Sequence, residues 1–195
     1  MPHKIAVVVG SLRAGSFNRK IAECVSRMRP ADLSMEMVGI GELPLYNEDL
    51  DGNPPQEWEV FRQRIKASDA ILFVTPEYNR SIPGVLKNAI DVGSRPDGAS
   101  IWDGKPGGVI TVSPGATGGF GSNHHLRQTF VFLNVLVMQQ PEAYLGNADE
   151  IFDETGALAS DRTRKFLANF IDAYALWVTF CLGYRKLRQE ALEVA

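Results

Sequence analysis

The chain has 195 residues, a formal net charge of −3 and a composition ordinary for a globular protein. This length allows a sizeable core, so we expect a single domain over residues 1–195. The slight negative charge argues against a nucleic-acid-binding protein, which usually carries a basic patch. It also lacks the strong acidity expected of a small electron carrier that docks by charge.

The sequence carries no sign of export or membrane insertion. The N-terminal apolar run, residues 5–9, is shorter than the core of a signal peptide. No stretch reaches the roughly 18 apolar residues that would span a bilayer. Cys24 and Cys181 lie far apart and in no C-x-x-C pattern, so we expect reduced, buried thiols. A cytoplasmic location follows from this expectation.

Apolar periodicity alternates between strand and helix along the chain. Continuous apolar runs predict parallel strands that are covered on both faces, and apolar residues three or four apart predict helices. The predicted strands cover residues 4–9, 33–40, 69–75, 108–113 and 135–139. The predicted helices cover residues 18–28, a segment opening at Pro55, residues 83–93, residues 123–133 with Asn123 as the cap, and a last helix from Asp161. Residues 141–160 are predicted to be irregular.

Five alternating strand–helix units predict an α/β fold. We expect a doubly wound five-stranded parallel sheet of order 2-1-3-4-5 with helices on both faces, although periodicity alone leaves other doubly wound orders open. In such a sheet, ligands bind at the carboxyl ends of the strands where the winding reverses. For this order the loops concerned are GSLRAGSFNR after the first strand and PEYNRS after the third, with PGATGGFG next to them.

The first of these loops has the composition of a phosphate site. The helix that follows it offers unpaired N–H groups and the positive end of its dipole. Ser11, Ser16 and Asn18 add neutral donors, and Arg13 adds a cationic fork. A hydroxyl-rich loop suits a terminal phosphate monoester better than a pyrophosphate, which needs glycines for close approach. The alternative is that Ser16 or Asn18 merely caps the helix and Arg13 is solvated.

The other two loops suggest a site for a planar ligand. Pro76, Glu77, Tyr78 and Asn79 are expected to form a shaped turn that offers backbone groups, with Tyr78 covering a ring face. The alternatives are a plain turn, which proline and asparagine favour anyway, and a general base at Glu77, for which the sequence suggests no partner. The third loop is glycine-rich, which permits close approach or mobility but is also common in ordinary loops.

We expect no metal site. His124 and His125 are adjacent and so point in different directions on a helix. The sequence contains neither an H-E-x-x-H motif nor a suitable spacing of cysteine and histidine. The absence of a G-x-S-x-G elbow and of a cysteine in the first loop also weakens hydrolase and phosphatase interpretations.

Three stretches together resemble a known family. They are GSLRAGSFNR at residues 10–19, TPEYNRSIPGVLKNAID at residues 75–91 and HLRQTFVFLNVLVMQQPE at residues 125–142. They resemble the NADPH-dependent FMN reductases, which include bacterial quinone, azo and chromate reductases, and the last helix is also similar. The resemblance implies a flavodoxin-like fold that binds FMN and uses NADPH or NADH to reduce quinones, azo compounds, chromate or free flavin.

The resemblance also implies site residues and an assembly. Hydride passes from nicotinamide to flavin, so no catalytic side chain is implied. The helix over residues 83–93 would pack against a second subunit, as a homodimer or homotetramer. Two alternatives stay open: a flavodoxin-type electron carrier, and a flavin-binding protein without nicotinamide turnover. The third loop differs from those of relatives, which often carry bulkier residues there. Carried over by position, the cofactor-binding residues are Ser11, Arg13, Ser16, Phe17 through its backbone, Asn18, Pro76, Glu77, Tyr78, Asn79, Ser113 and Gly115.

Overall fold

The computed structural model describes residues 1–193, and residues 194 and 195 of the predicted domain lie outside this part. The strands are β1 (His3–Val9), β2 (Leu33–Val38), β3 (Ala70–Thr75), β4 (Pro106–Val112), β5 (Leu136–Val137) and β6 (Ala143–Leu145). The helices are α1 (Phe17–Met28), α2 (Gln56–Lys66), α3 (Gly84–Ser94), α4 (Phe120–Phe132) and α5 (Asp161–Glu193). Short 3₁₀ turns cover Glu48–Leu50 and Ala148–Glu150.

The parallel sheet has the order β2-β1-β3-β4-β5, which confirms the predicted topology. Its register aligns the ends of the central strands: Val9 pairs with Val74, and Thr75 pairs with Thr111. The loops that follow β1, β3 and β4 therefore leave the sheet side by side at one edge.

Helices cover the sheet on both faces, as the apolar strands predicted. Every residue of β3 and β4 is buried. One face packs against α1 and α5, and the other packs against α2, α3 and α4. Trp58 of α2 and Trp102 are fully buried in the second layer. Packing in these two apolar layers fixes the edge of the sheet from which the loops after β1, β3 and β4 leave.

The fifth strand differs from its prediction. Only Leu136–Val137 of the predicted 135–139 is a strand, and the supposedly irregular segment 141–160 contains β6, Ala143–Leu145. Both short strands pair with β4. The β5 strand pairs near the start of β4, and β6 pairs near the end of β4. Pro141 lies between them, and proline cannot donate a ladder hydrogen bond. The predicted fifth strand is therefore shorter than expected, and a second short strand follows it along the same edge of β4.

The predicted cap of α4 is wrong. The helix begins at Phe120 with Gly119 in the capping position, and Asn123 is buried one turn inside. The Asn123 Oδ1 accepts instead from Arg127 Nε at 2.8 Å. Gly118 and Gly119 have φ angles of 62° and 80°, values that favour glycine and turn the chain directly into the helix.

The last helix begins at Asp161, as predicted, and continues to Glu193. Within the described residues, Asp161–Leu187 is long and apolar enough to cross a membrane by length and composition alone. Core helices pass the same test, and α5 buries Phe170, Tyr174 and Val178 against the sheet. Its apolar character therefore has a structural cause in the packing of this layer.

Candidate functional site

The three predicted loops converge at the carboxyl edge of the sheet. The Gly10 N–H donates to the Val74 carbonyl at 2.9 Å, which joins the first loop to β3. A Cβ at position 10 would overlap the Thr75 hydroxyl, so only glycine fits there. The Asn18 Nδ2 lies 3.5 Å from the Val112 carbonyl and ties α1 to the end of β4.

The first loop presents several hydrogen-bond donors at the start of α1. Ser16 caps the helix, because its hydroxyl oxygen accepts from the Arg19 N–H at 3.3 Å. The hydroxyl proton remains available to donate, so capping and ligand binding are compatible. The N–H groups of Phe17 and Asn18 donate to no protein acceptor within residues 1–193. These donors lie at the positive end of the helix dipole.

Two polar groups of this loop, the Asn18 side-chain oxygen and the Arg13 guanidinium, have no hydrogen-bond or ion-pair partner among residues 1–193. The Asn18 Oδ1 is buried and accepts no hydrogen bond in the described part of the chain. Arg13 is exposed and forms no ion pair with any of the described residues. A buried polar atom without a partner is costly. Arg13 suits an anionic group of a ligand, and the Asn18 Oδ1 suits a hydroxyl group that donates a hydrogen bond.

The second loop is a tight two-residue turn. The backbone groups of Tyr78 and Ser81 exchange hydrogen bonds at 2.9 and 3.0 Å. Asn79 and Arg80 have φ angles of 52° and 65°, as a type I′ turn requires. The turn leaves the Tyr78 ring exposed at the rim of the site. A turn is present here, and it fits both the shaped turn and the plain turn that the sequence allowed.

Glu77 anchors this turn to α4. Its carboxylate accepts from the Ser122 N–H at 3.2 Å and lies 3.5 Å from the Arg80 guanidinium. The Ser122 hydroxyl donates to the Pro76 carbonyl at 3.0 Å. Glu77 therefore caps α4 from a distant loop, which is a structural role and not that of a general base. No local sequence pattern indicates the role of Ser122, because its partners lie 45 and 46 positions away.

The third loop rests on β6. The Ser113 N–H donates to the Leu145 carbonyl at 2.9 Å, and the Ser113 hydroxyl accepts from the Gly115 N–H at 3.2 Å. A Cβ at Gly118 would lie 2.6 Å from the Tyr144 carbonyl carbon, so only glycine at this position lets the loop approach β6 this closely. Gly115 faces open space apart from Ser113.

The two histidines have separate partners. His124 Nε2 lies 3.1 Å from the Tyr144 hydroxyl, and His125 Nδ1 lies 2.7 Å from the Ser81 hydroxyl. Burial, together with the Glu142 carboxylate, raises the pKa of Tyr144 to about 12, so this phenol stays protonated near neutral pH. No group of three or more potential metal-ligating side chains occurs among residues 1–193.

The donor set fits FMN. A terminal phosphate monoester has three oxygens and nearly two negative charges, and the first loop offers hydroxyl, backbone and guanidinium donors. The unpartnered Asn18 Oδ1 is an acceptor, so it suits a hydroxyl group of the ribityl chain.

Comparison with known proteins identifies the family. The family described as NADPH-dependent FMN reductase matches residues 3–150 of this chain. The chain belongs to that family. It is 58% identical over 177 residues to a quinone reductase from Pseudomonas putida, covering 90% of this chain and 95% of the relative. It is 48% identical over 178 residues to a 2-hydroxy-1,4-benzoquinone reductase from Burkholderia sp, covering 91% and 97%.

A solved structure supports the same membership. FerB, a flavoenzyme NAD(P)H:(acceptor) oxidoreductase from Paracoccus denitrificans, superposes with a TM-score of 0.85 at 39% identity. The match covers 91% of this chain and 97% of FerB. The predicted family and flavodoxin-like fold are confirmed, and membership implies FMN as cofactor with NADPH or NADH as co-substrate. The assignments of individual cofactor-binding residues stay predictions.

Proposed function

We propose that this FMN reductase family member uses NADH or NADPH to reduce quinones and similar small acceptors in the cytoplasm. Relatives named quinone reductase and 2-hydroxy-1,4-benzoquinone reductase support this acceptor class. The observation that carries the proposal is the convergence of three loops beside an α1 N-terminus that is rich in unpaired donors. When bound, FMN supplies the redox chemistry, taking a hydride from nicotinamide and passing two electrons to the acceptor.

The chain's own residues bind and orient the cofactor. Ser11, Arg13 and Ser16, with the backbone N–H groups of Phe17 and Asn18, would hold the terminal phosphate. These groups fit because they combine neutral donors and a cation at the positive end of a helix dipole. The α1 helix is fixed by its packing against the sheet, so the donors are already in place before the ligand arrives.

The second and third loops hold the ring system. The backbone groups of Pro76, Glu77, Tyr78 and Asn79 in the second loop, and those of Ser113 and Gly115 in the third, would contact the ring system of bound FMN. Glu77 keeps the second loop in place through its bond to α4. With its carboxylate committed to the Ser122 N–H and Arg80, the reaction needs no acid or base from this side chain.

An assembly of two or four copies through α3 belongs to the same proposal. The exposed side of α3 would pack against the second subunit, as the family resemblance implies. The test is the mass of the FMN-loaded protein in solution by light scattering, and a monomer at working concentration would contradict this part.

Steady-state kinetics test the proposed activity. In the absence of oxygen, purified FMN-loaded protein should oxidise more than one equivalent of NADH or NADPH only when an acceptor such as a benzoquinone is supplied. The three loops would enclose all but one face of the ring, so nucleotide and quinone must use that face in turn. We expect parallel lines in double-reciprocal plots. Intersecting lines would contradict the proposal that nucleotide and quinone share one face of the ring. If the flavin-loaded protein shows no turnover, it is an electron carrier or a flavin-binding protein.

A further inference from the structure

A cleft on the outer side of the first loop has no role in the site described above. It has a volume of about 740 Å³ and lies between the first loop, the chain that follows β2, and α2. Cavities of roughly 300–1,000 Å³ are typical of small-molecule sites. It lies at the carboxyl ends of β1 and β2, on the side of the first loop away from β3.

The cleft shares a wall with the proposed phosphate site. Ser11 and Leu12 both line it. Leu12 is 57% exposed and packs on Gly41, where a Cβ would lie 3.2 Å from the leucine Cδ2. The same loop that offers donors to a flavin phosphate therefore forms one side of the cleft. A ligand could extend from the flavin site into this space across Leu12.

The wall that follows β2 is fixed before any ligand binds. The Asn88 side chain of α3 donates to the carbonyls of Leu43 and Pro44 at 3.2 and 3.1 Å, and its Oδ1 accepts from the Tyr46 N–H at 2.8 Å. The Trp58 indole N–H donates to the same Pro44 carbonyl at 2.9 Å. A wall that is already ordered avoids the entropy cost of ordering on binding.

The lining combines apolar and polar groups in a way that suits a nucleoside. Leu12 and Val60 expose apolar surface on which a base can lie. Glu42 and Glu57 can accept hydrogen bonds from ribose hydroxyls. Arg19 also lines the cleft and makes no ion pair among the described residues, so its guanidinium can bind a phosphate group.

We propose that this cleft binds the adenosine end of the nicotinamide dinucleotide. The proposal rests on the proposed function, because the nicotinamide must reach the flavin ring while the rest of the dinucleotide lies elsewhere. The cleft lies next to the flavin phosphate loop, is already formed, and has the lining that an adenine, a ribose and a phosphate require.

The test introduces a large side chain into the cleft by substituting a glycine that lines it. Gly39 lines it, and a Cβ added there would meet no neighbouring atom within 4 Å. Its φ is not left-handed, so Gly39→Leu should fold normally. Gly52→Leu is the matched control, since Gly52 is equally open and lies outside the cleft. Both variants are assayed as FMN-loaded protein with a benzoquinone, using NADH and reduced nicotinamide mononucleotide, which lacks the adenosine half.

We expect Gly39→Leu to raise the KM for NADH by about tenfold or more, a factor that corresponds to about 1.4 kcal/mol. The KM for the mononucleotide should stay within about twofold, and Gly52→Leu should leave both values unchanged. Equal effects on both substrates, or no effect on NADH, would overturn the proposal. A wild-type protein that oxidises neither substrate would instead refute the proposed function.

Calorimetry supplies a readout that does not depend on turnover. ADP-ribose should bind the FMN-loaded wild-type and Gly52→Leu proteins, and its affinity should fall about tenfold or more in Gly39→Leu. Equal binding of ADP-ribose to all three proteins would place the adenosine end outside this cleft.

Discussion

Gly10→Ala tests whether the first loop depends on the close approach of β1 to β3. A Cβ at this position would overlap the Thr75 hydroxyl oxygen and lie 2.8 Å from the Thr75 Cβ and 3.2 Å from Leu86 Cδ2. Thr75 and Leu86 are both 0% exposed, so neither can move aside into solvent. The loop or the end of β3 must shift to admit the methyl group.

Overpacking of this kind costs about 1–3 kcal/mol of unfolding free energy. Gly15→Ala is the matched control in the same loop, because a Cβ there would meet no neighbouring atom within 4 Å and its φ is not left-handed. At such a site, alanine stabilises by about 0.4–1 kcal/mol through the unfolded chain. The two substitutions should therefore change the free energy of unfolding in opposite directions.

Urea unfolding followed by circular dichroism measures both changes. We expect the midpoint of Gly10→Ala to fall below the wild-type value and that of Gly15→Ala to equal or exceed it. FMN affinity should fall in the first variant, because the shifted loop displaces its donors. Equal stabilities for the two variants would refute the account of how this loop is held against β3.

Two further predictions concern the second loop and the buried thiols. Glu77→Ala should lower the free energy of unfolding by about 1 kcal/mol, the usual effect of losing a helix cap, since the Ser122 N–H loses its acceptor; an unchanged urea midpoint would show that Glu77 is not the cap. Burial raises the pKa of Cys181 to about 11 and also raises the pKa of Cys24. Both thiols therefore stay protonated at about pH 8, and their reaction rates should rise only above the usual cysteine pKa range, because the thiolate is the reactive form. A disulfide reagent at this pH should modify the native protein far more slowly than the urea-unfolded chain, and rapid labelling of a native thiol would contradict this.

The strands and the three site loops could be predicted from the sequence because they depend on local signals, whereas the strand order was predicted as a common order of doubly wound folds. The run AILFV at the start of β3 is apolar, which is what a strand covered on both faces requires. The serines and the asparagine of the first loop precede an amphipathic helix, and Ser16 does cap it. Register then follows from the parallel topology, which places the three loops at one edge.

The features that were missed depend on contacts between distant positions. The cap of α4 comes from Glu77, and no local pattern around Gly119 indicates that partner. The residues of β6, Ala143–Leu145, form a strand because β4 leaves an unpaired edge for them, and three residues are too few for a periodic signal. The cleft beside Leu12 is likewise formed by three segments far apart in the chain.

The central claim is that the first loop binds the terminal phosphate of FMN, and Arg13→Ala tests it most directly. Calorimetric titration of flavin-free protein with FMN and with riboflavin, which lacks the phosphate, gives the affinities of the wild type and the variant. A charged hydrogen bond contributes about 1.5–3 kcal/mol, and solvent screening of the exposed Arg13 favours the lower end, about a tenfold loss of FMN affinity. Riboflavin affinity should stay unchanged, whereas equal losses for both flavins, or no loss for FMN, would contradict the claim.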